Sequence, residues 1–338
     1  MSNISTTLNK SIEEPLCCDG GRHSVIPLNP KYSRIWKCFQ SQLLSFWTHN
    51  KIHFDEDAKY YQKLPSNVKN MYDHVLAFFA IGDELVSENL NENFIREIKN
   101  PEAVQMLVYQ AMMENQHSIV YNNNIMSVYP FEQDRQRIFN LVKTSPVVKL
   151  KESFMRKWMN PKLSLGHRIV AYMGAEGIGF SASFAFIDWG KIMGYKLEGM
   201  FHANDYISAD ESQHTIGGAA MEHYIANKIS DEEVKKIFDE AIEIEVQFAR
   251  SLIPADGLPN GMTRINMEKH IIHCANILTL MLGRKGIYGN TSTPFKYLSF
   301  RNLAKKVNFF EQENTNYIMD SKDSVPVTND SFDTMSDF

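Results

Sequence analysis

At 338 residues, 43% hydrophobic and 12% aromatic, the chain has an ordinary globular composition with ample material for a core. Its 35 basic residues against 40 acidic ones leave a net charge of -5 with no Lys/Arg cluster, which argues against nucleic acid as a partner. Four cysteines, Cys17, Cys18, Cys38 and Cys274, form no CxxC pair and are too scattered for a disulfide framework, so a reducing, cytoplasmic setting is expected.

The first residues, MSNISTTLNKSIEEP, lack the basic start and apolar core of a signal peptide. Residues 1–25 are polar, contain Gly20-Gly21 and read as a flexible leader. From Tyr32 to Trp47 apolar residues recur at helical spacing (Ile35, Trp36, Phe39, Leu43, Phe46, Trp47), the pattern of an amphipathic helix. Ser66 is placed to cap a helix that runs through MYDHVLAFFAIGDELVSENL and stops before Asn100-Pro101. Asn100 as N-cap with Pro101 at the first helical position opens the next helix, where the N–H that proline lacks would be unpaired anyway.

That helix carries QAMMENQHSIVY, in which Glu114, His117 and Tyr121 project from one face at about 100° per residue. Further helices are predicted over about 165–193, 198–229, 231–252 and 262–282, with Ser230 and Glu233 forming a capping box for the third of these. The only membrane-like window, 169–187, has Arg168 at its edge and Glu176 in its middle, and a carboxylate at bilayer depth is costly, so a buried helix is expected and no membrane partner. Strand signals are few, and GRKGIYGNTSTPF reads as a loop or small hairpin. Helices dominate, so the expected fold is an all-α bundle.

After residue 318 the composition changes to MDSKDSVPVTNDSFDTMSDF, which cannot bury enough apolar surface to order itself. By composition 319–338 is a disordered tail. Its Phe332, Met335 and Phe338, three residues apart, suit docking into a partner's groove.

A second acid-imidazole pair, Glu211 and His214 in ISADESQHTIGG, repeats the spacing of Glu114 and His117. Two lone acids stand in apolar helical windows: Asp83 in LAFFAIGDELV and Glu176 in AYMGAEGIGFSASF. Helix phase favours Asp83 over the adjacent Glu84, because Phe79 and Leu90 lie on its side. Buried carboxylates are costly unless paired or metal-bound. Four acids and two histidines on four helices reproduce the plan of a dinuclear carboxylate site, in which two helices give one carboxylate each and two give Glu-x-x-His. Oxygen and imidazole donors suit iron or manganese.

LAFFAIGDELVSENL, MMENQHSIVY, AEGIGFSASFAF and ISADESQH resemble the four metal-binding segments of the class I ribonucleotide reductase small subunit, in order and at similar separations, over roughly 35–338. The resemblance implies a ferritin-like bundle over 26–318 with two Fe ions per chain, or Mn, held by Asp83, Glu114, His117, Glu176, Glu211 and His214. It implies that Tyr121 is oxidised with O2 to a stable radical, shielded by Phe180, Phe184 and Ile207. It further implies a relay through His117, Asp210 and Trp47, with Tyr317 handing the radical to a separate large subunit that the tail engages, and a homodimer. The departures are Ala209 where the family has Arg, His49-Asn50-Lys51 where an acidic pair is usual, and Asp188 within FIDWGK. Two other readings stay open: a non-radical helper that pairs with an active small subunit, and an O2-dependent oxidase on the same bundle.

Overall fold

The computed structural model describes residues 13–18 and 20–298. Among these are ten helices of twelve residues or more: α1 Ser33–Leu44, α2 Ser66–Asn89, α3 Pro101–Val128, α4 Glu132–Thr144, α5 Pro146–Trp158, α6 Leu165–Gly177, α7 Ser181–Ile192, α8 Glu198–His223, α9 Asp231–Leu252 and α10 Arg264–Met281. Apart from a single antiparallel bridge between Leu258 and Met262, the described residues contain no β-structure, so 283–295 is a loop and not a hairpin. The expected all-α architecture holds.

The helix boundaries follow local chemistry. Asn100 caps α3 by accepting a hydrogen bond from the Ala103 N–H, with Pro101 at the first position. At α9 the Ser230 hydroxyl accepts from the Glu233 N–H while the Glu233 carboxylate accepts from the Ser230 N–H, the reciprocal box the sequence predicts. Ser66 makes no cap; it is the first helical residue, behind Pro65. Beyond Asn89 the chain continues through one π-helical turn, Leu90–Phe94, before breaking at Ile98.

Three departures from the sequence expectation matter. The predicted helix over 165–193 is broken at 178–180 into α6 and α7. Helices α4 and α5 fill a stretch for which the sequence reading made no assignment. Part of the expected leader is anchored: Leu16 is buried and its carbonyl accepts from the Lys99 and Asn100 N–H groups, while Glu14 accepts from the Ala226 and Asn227 N–H groups.

The core lies where α2 packs on α3, α6 on α8, and α3 on α8. Close approach of α8 depends on adjacent glycines. A Cβ at Gly217 would sit 2.7 Å from Gln110 Nε2, and one at Gly218 would sit 2.6 Å from Met173 Cγ. The apolar stretch Leu165–Ile192 is long enough to cross a membrane, but 89% of its most apolar window is buried inside the fold. Within it Arg168 is paired with Glu97 at 2.5 Å, and Glu176 faces the centre described next.

Candidate metal centre

Four helices each send an acid into one buried volume. Asp83 comes from α2, Glu114 with His117 from α3, Glu176 from α6, and Glu211 with His214 from α8; all six are buried. Glu84 is exposed, as the helix phase required. The six fall into two overlapping groups, Asp83–Glu114–His117–Glu211 and Glu114–Glu176–Glu211–His214, each able to offer one donor atom per residue around a common point.

The shared members are placed to bridge. Glu211 puts Oε1 3.0 Å from His117 Nδ1 and Oε2 2.8 Å from His214 Nδ1. Glu114 puts Oε2 3.4 Å from His117 Nδ1 and Oε1 2.9 Å from His214 Nδ1. Asp83 lies 3.3 Å from His117 Nδ1, and Glu176 lies 3.7 Å from His214 Nδ1. Each half therefore has one imidazole nitrogen, one carboxylate of its own and one oxygen from each bridging carboxylate.

These atoms are close without being hydrogen-bonded. All eight carboxylate oxygens of Asp83, Glu114, Glu176 and Glu211, and Nδ1 of both histidines, are buried and lack hydrogen-bond partners. Buried polar atoms are nearly always paired, so ten converging orphans mark a place where something else completes them. Four carboxylates match the charge of two divalent cations, and oxygen with imidazole is a donor set that iron and manganese accept. The residues fit a dinuclear metal.

Electrostatics of the polypeptide alone point the same way. Burial, followed by the neighbouring Glu211 charge, pushes Glu176 well above the usual carboxylate range, and burial with Glu114 and Glu211 does the same to Asp83. Burial opposes the charged form of His117 and His214, but Glu211 and the other carboxylates outweigh it and hold both imidazoles well above their ordinary value. Glu211 is held far below the usual range: burial opposes this, and the two histidines overcome it.

Tyr121 sits beside this cluster, buried, with its hydroxyl unpartnered. Burial and then the charges of Asp83, Glu211, Glu114 and Glu176 raise its phenol well above the usual value. Phe79 stacks on its ring at 4.6 Å. Phe184 and Ile207 line the small apolar cavity that Tyr121 faces, together with Phe79, Leu76 and Ile187. Phe180 stands behind them, stacked on Phe79 at 6.0 Å and on Phe184 at 5.8 Å. Phe79 was not foreseen as part of this shield, although its position four residues before Asp83 places it on the same helix face.

On the other side, the Trp47 indole N–H donates to Asp210 Oδ2 at 2.7 Å, and that same oxygen lies 3.1 Å from His117 Nε2. Trp47 is buried beyond the end of α1 and stacks between His117, at 6.0 Å, and Tyr206, at 5.0 Å. Tyr206 was also missed; it is four residues before Asp210, on the face that meets Trp47. Of the departures noted in the sequence, Ala209 points outward and leaves both contacts of Asp210 in place. His49 hydrogen-bonds Gln116, the neighbour of His117, through its backbone N–H at 3.2 Å and its ring Nδ1 at 2.9 Å. Asp188 accepts from Asn204 at 3.0 Å. Tyr317, Phe332, Met335 and Phe338 lie outside the described residues.

Residues 25–294 match the family model described as ribonucleotide reductase, small chain. The chain belongs to that family. This small chain is 36% identical to the ribonucleoside-diphosphate reductase small chain of Spisula solidissima, over 91% of its own length and 80% of the relative's. It is 34% identical to the corresponding small subunit of Dictyostelium discoideum, over 85% and 84%. Among solved structures it is similar to the ribonucleotide reductase Rnr4 homodimer from Saccharomyces cerevisiae, with TM-score 0.75, 28% identity and coverage of 88% and 93%.

Proposed function

We propose that this chain is the radical-generating small subunit of a class I ribonucleoside-diphosphate reductase, an oxidoreductase that supplies deoxyribonucleotides. The observation that carries the reading is the pair of half-sites sharing Glu114 and Glu211, all their oxygens unpartnered, beside the buried and unpartnered Tyr121 hydroxyl.

In this reading Asp83, Glu114, His117, Glu176, Glu211 and His214 would hold two metal ions, Asp83 and His117 belonging to one half-site, Glu176 and His214 to the other, and Glu114 and Glu211 to both. Iron or manganese, when bound there, would supply the redox chemistry through which O2 oxidises the neighbouring phenol. Tyr121 remains protonated at neutral pH because burial and four carboxylates disfavour its anion, so it gives up an electron only together with its proton. Phe79, Phe180, Phe184 and Ile207 keep water and reductants away from the oxidised ring. His117, Asp210 and Trp47 form a continuous hydrogen-bonded route outward, Asp210 accepting from the indole and facing the imidazole through one oxygen.

The oxidising equivalent then passes to a large subunit, which holds the substrate. Tyr317 is the residue that hands it over, and Phe332, Met335 and Phe338 form the docking peptide. A second copy of this chain packs against the outward face of α3, where Val108, Met112, Ile119 and Met126 are exposed opposite the metal-facing side. Four cysteines without a disulfide suit a cytoplasmic protein. A helper subunit would have no use for six complete donors, and an oxidase none for the Trp47 route.

Loading the metal-free chain with Fe(II) and O2 tests this. About two iron ions per chain are expected, with ribonucleoside diphosphate reduced only once a ribonucleotide reductase large subunit is added. Removing residues 332–338 abolishes turnover and leaves the iron content unchanged. Iron bound elsewhere, or turnover independent of the tail, contradicts the reading.

A further inference from the structure

The break between α6 and α7 is held from outside by two buried charged side chains to which no role in the reaction has been given. At the break the Gly179 N–H reaches back five residues to the Gly174 carbonyl at 3.0 Å, and the Ile178 carbonyl is taken by the Ser181 N–H and hydroxyl at 3.0 and 2.7 Å. Helical pairing is thereby displaced by one residue. The Ala182 N–H turns away to donate to Glu245 Oε1 of α9 at 2.8 Å, and the Gly179 carbonyl accepts from Lys151 Nζ of α5 at 2.5 Å. Lys151 and Glu245 close the circuit on each other at 2.5 Å. Both are buried, and the Lys151 ammonium lies 3.7 Å from the ring centre of Phe78 and 4.0 Å from that of Phe248. No side chain fits at Gly179, because a Cβ there would sit 2.8 Å from the Ala175 carbonyl oxygen.

What the break separates is functional. Glu176 lies three residues before Gly179, and Phe180 follows it. Phe78, under the Lys151 ammonium, packs at 4.8 Å against Phe180, which belongs to the shield of Tyr121. We propose that Lys151 and Glu245 are positioning residues that pin the α6–α7 break, setting where Glu176 meets its metal ion and where Phe180 closes the Tyr121 pocket. The proposal rests on the reading of Glu176 as a ligand.

Removing one partner alone would strand the other charge, so the informative variant is Lys151→Met combined with Glu245→Leu, which removes both charges and both backbone contacts. Titration of the metal-free full chain with Co(II), followed by absorbance, reads binding ion by ion. The double variant is expected to weaken one of two binding events by about tenfold or more, the usual effect of losing a ligand's support. Its curve should coincide with that of Glu176→Gln, leaving the other event unchanged; a merely structural loss would weaken both together. Unchanged binding of two ions, or equal weakening of both, overturns the proposal. Amide hydrogen exchange in the unmutated chain gives a second reading that needs no variant to fold and no metal to bind. The Ala182 N–H should be protected as strongly as the interior of α7, and rapid exchange there overturns the pin. A wild-type chain that binds no Co(II), with Ala182 protected, would contradict the ligand reading and not the pin.

Discussion

Two clusters of buried charge lie on either side of Gly179, and they differ in completeness. Around Glu245 the charges balance one to one: a single carboxylate meets the single Lys151 ammonium at 2.5 Å, and the Ala182 N–H and Gly179 carbonyl take one further contact from each. Around Glu114 four carboxylates face only two imidazoles, so the acids outnumber the cations the chain supplies, and ten atoms directed at the centre lack hydrogen-bond partners. The first arrangement is closed and structural. The second is open, and only a ligand from outside the chain closes it.

The largest effect is expected at the two acids common to both half-sites. Glu114→Ala or Glu211→Ala removes an oxygen from both half-sites, so metal content should fall from about two ions per chain toward none, whereas Asp83→Ala or Glu176→Ala should leave about one; metal analysis after desalting distinguishes these. The next effect differs in size between the two clusters. In the metal-free chain Lys151→Met strands the Glu245 charge and should cost about 3–5 kcal/mol in denaturant unfolding. Glu176→Gln removes an acid whose charged form burial disfavours and should cost less, no more than about 1 kcal/mol.

The open cluster also titrates with metal. Asp83, Glu176, His117 and His214 all have values raised by the fold. The stability they contribute is present below their unfolded values, about 4 for the acids and about 6.5 for histidine, and is lost as pH rises through the folded ones. Glu211 runs the other way, contributing above its unfolded value and losing that contribution as pH falls. The metal-free chain should therefore lose stability relative to the loaded one as pH rises above about 4, the unfolded value of the acids, and again above about 6.5, that of histidine. Metal binding near neutral pH should release protons, measurable by calorimetry in buffers of different ionisation heat. The smallest effect lies far from both clusters: Ser230→Ala should cost about 1 kcal/mol through loss of the α9 cap, without changing metal content.

Much of this was legible in the sequence because helical period and buried acids are local signals. Asp83 was separable from Glu84 by phase alone, and Asn100-Pro101 and Ser230–Glu233 marked helix starts that the structure reproduces. The break at 178–180 was not, since Gly177 to Phe186 has no proline or charged residue to mark a stop, and the interruption depends on partners far along the chain, at Lys151 and Glu245. Lys151 itself stands among other charged residues and looks like a solvated side chain until α6 and α9 cover it. Leu16 is one apolar residue in a polar stretch, with nothing local to reveal that its carbonyl completes the turn before α3.

The central claim is that Tyr121 is the residue oxidised beside the completed cluster. Electron paramagnetic resonance of the full chain after loading with Fe(II) and exposure to O2 tests it most directly. The account predicts a phenoxyl signal that disappears in Tyr121→Phe while about two iron ions per chain are retained. A correctly loaded chain without that signal, or a signal that survives Tyr121→Phe, would contradict it.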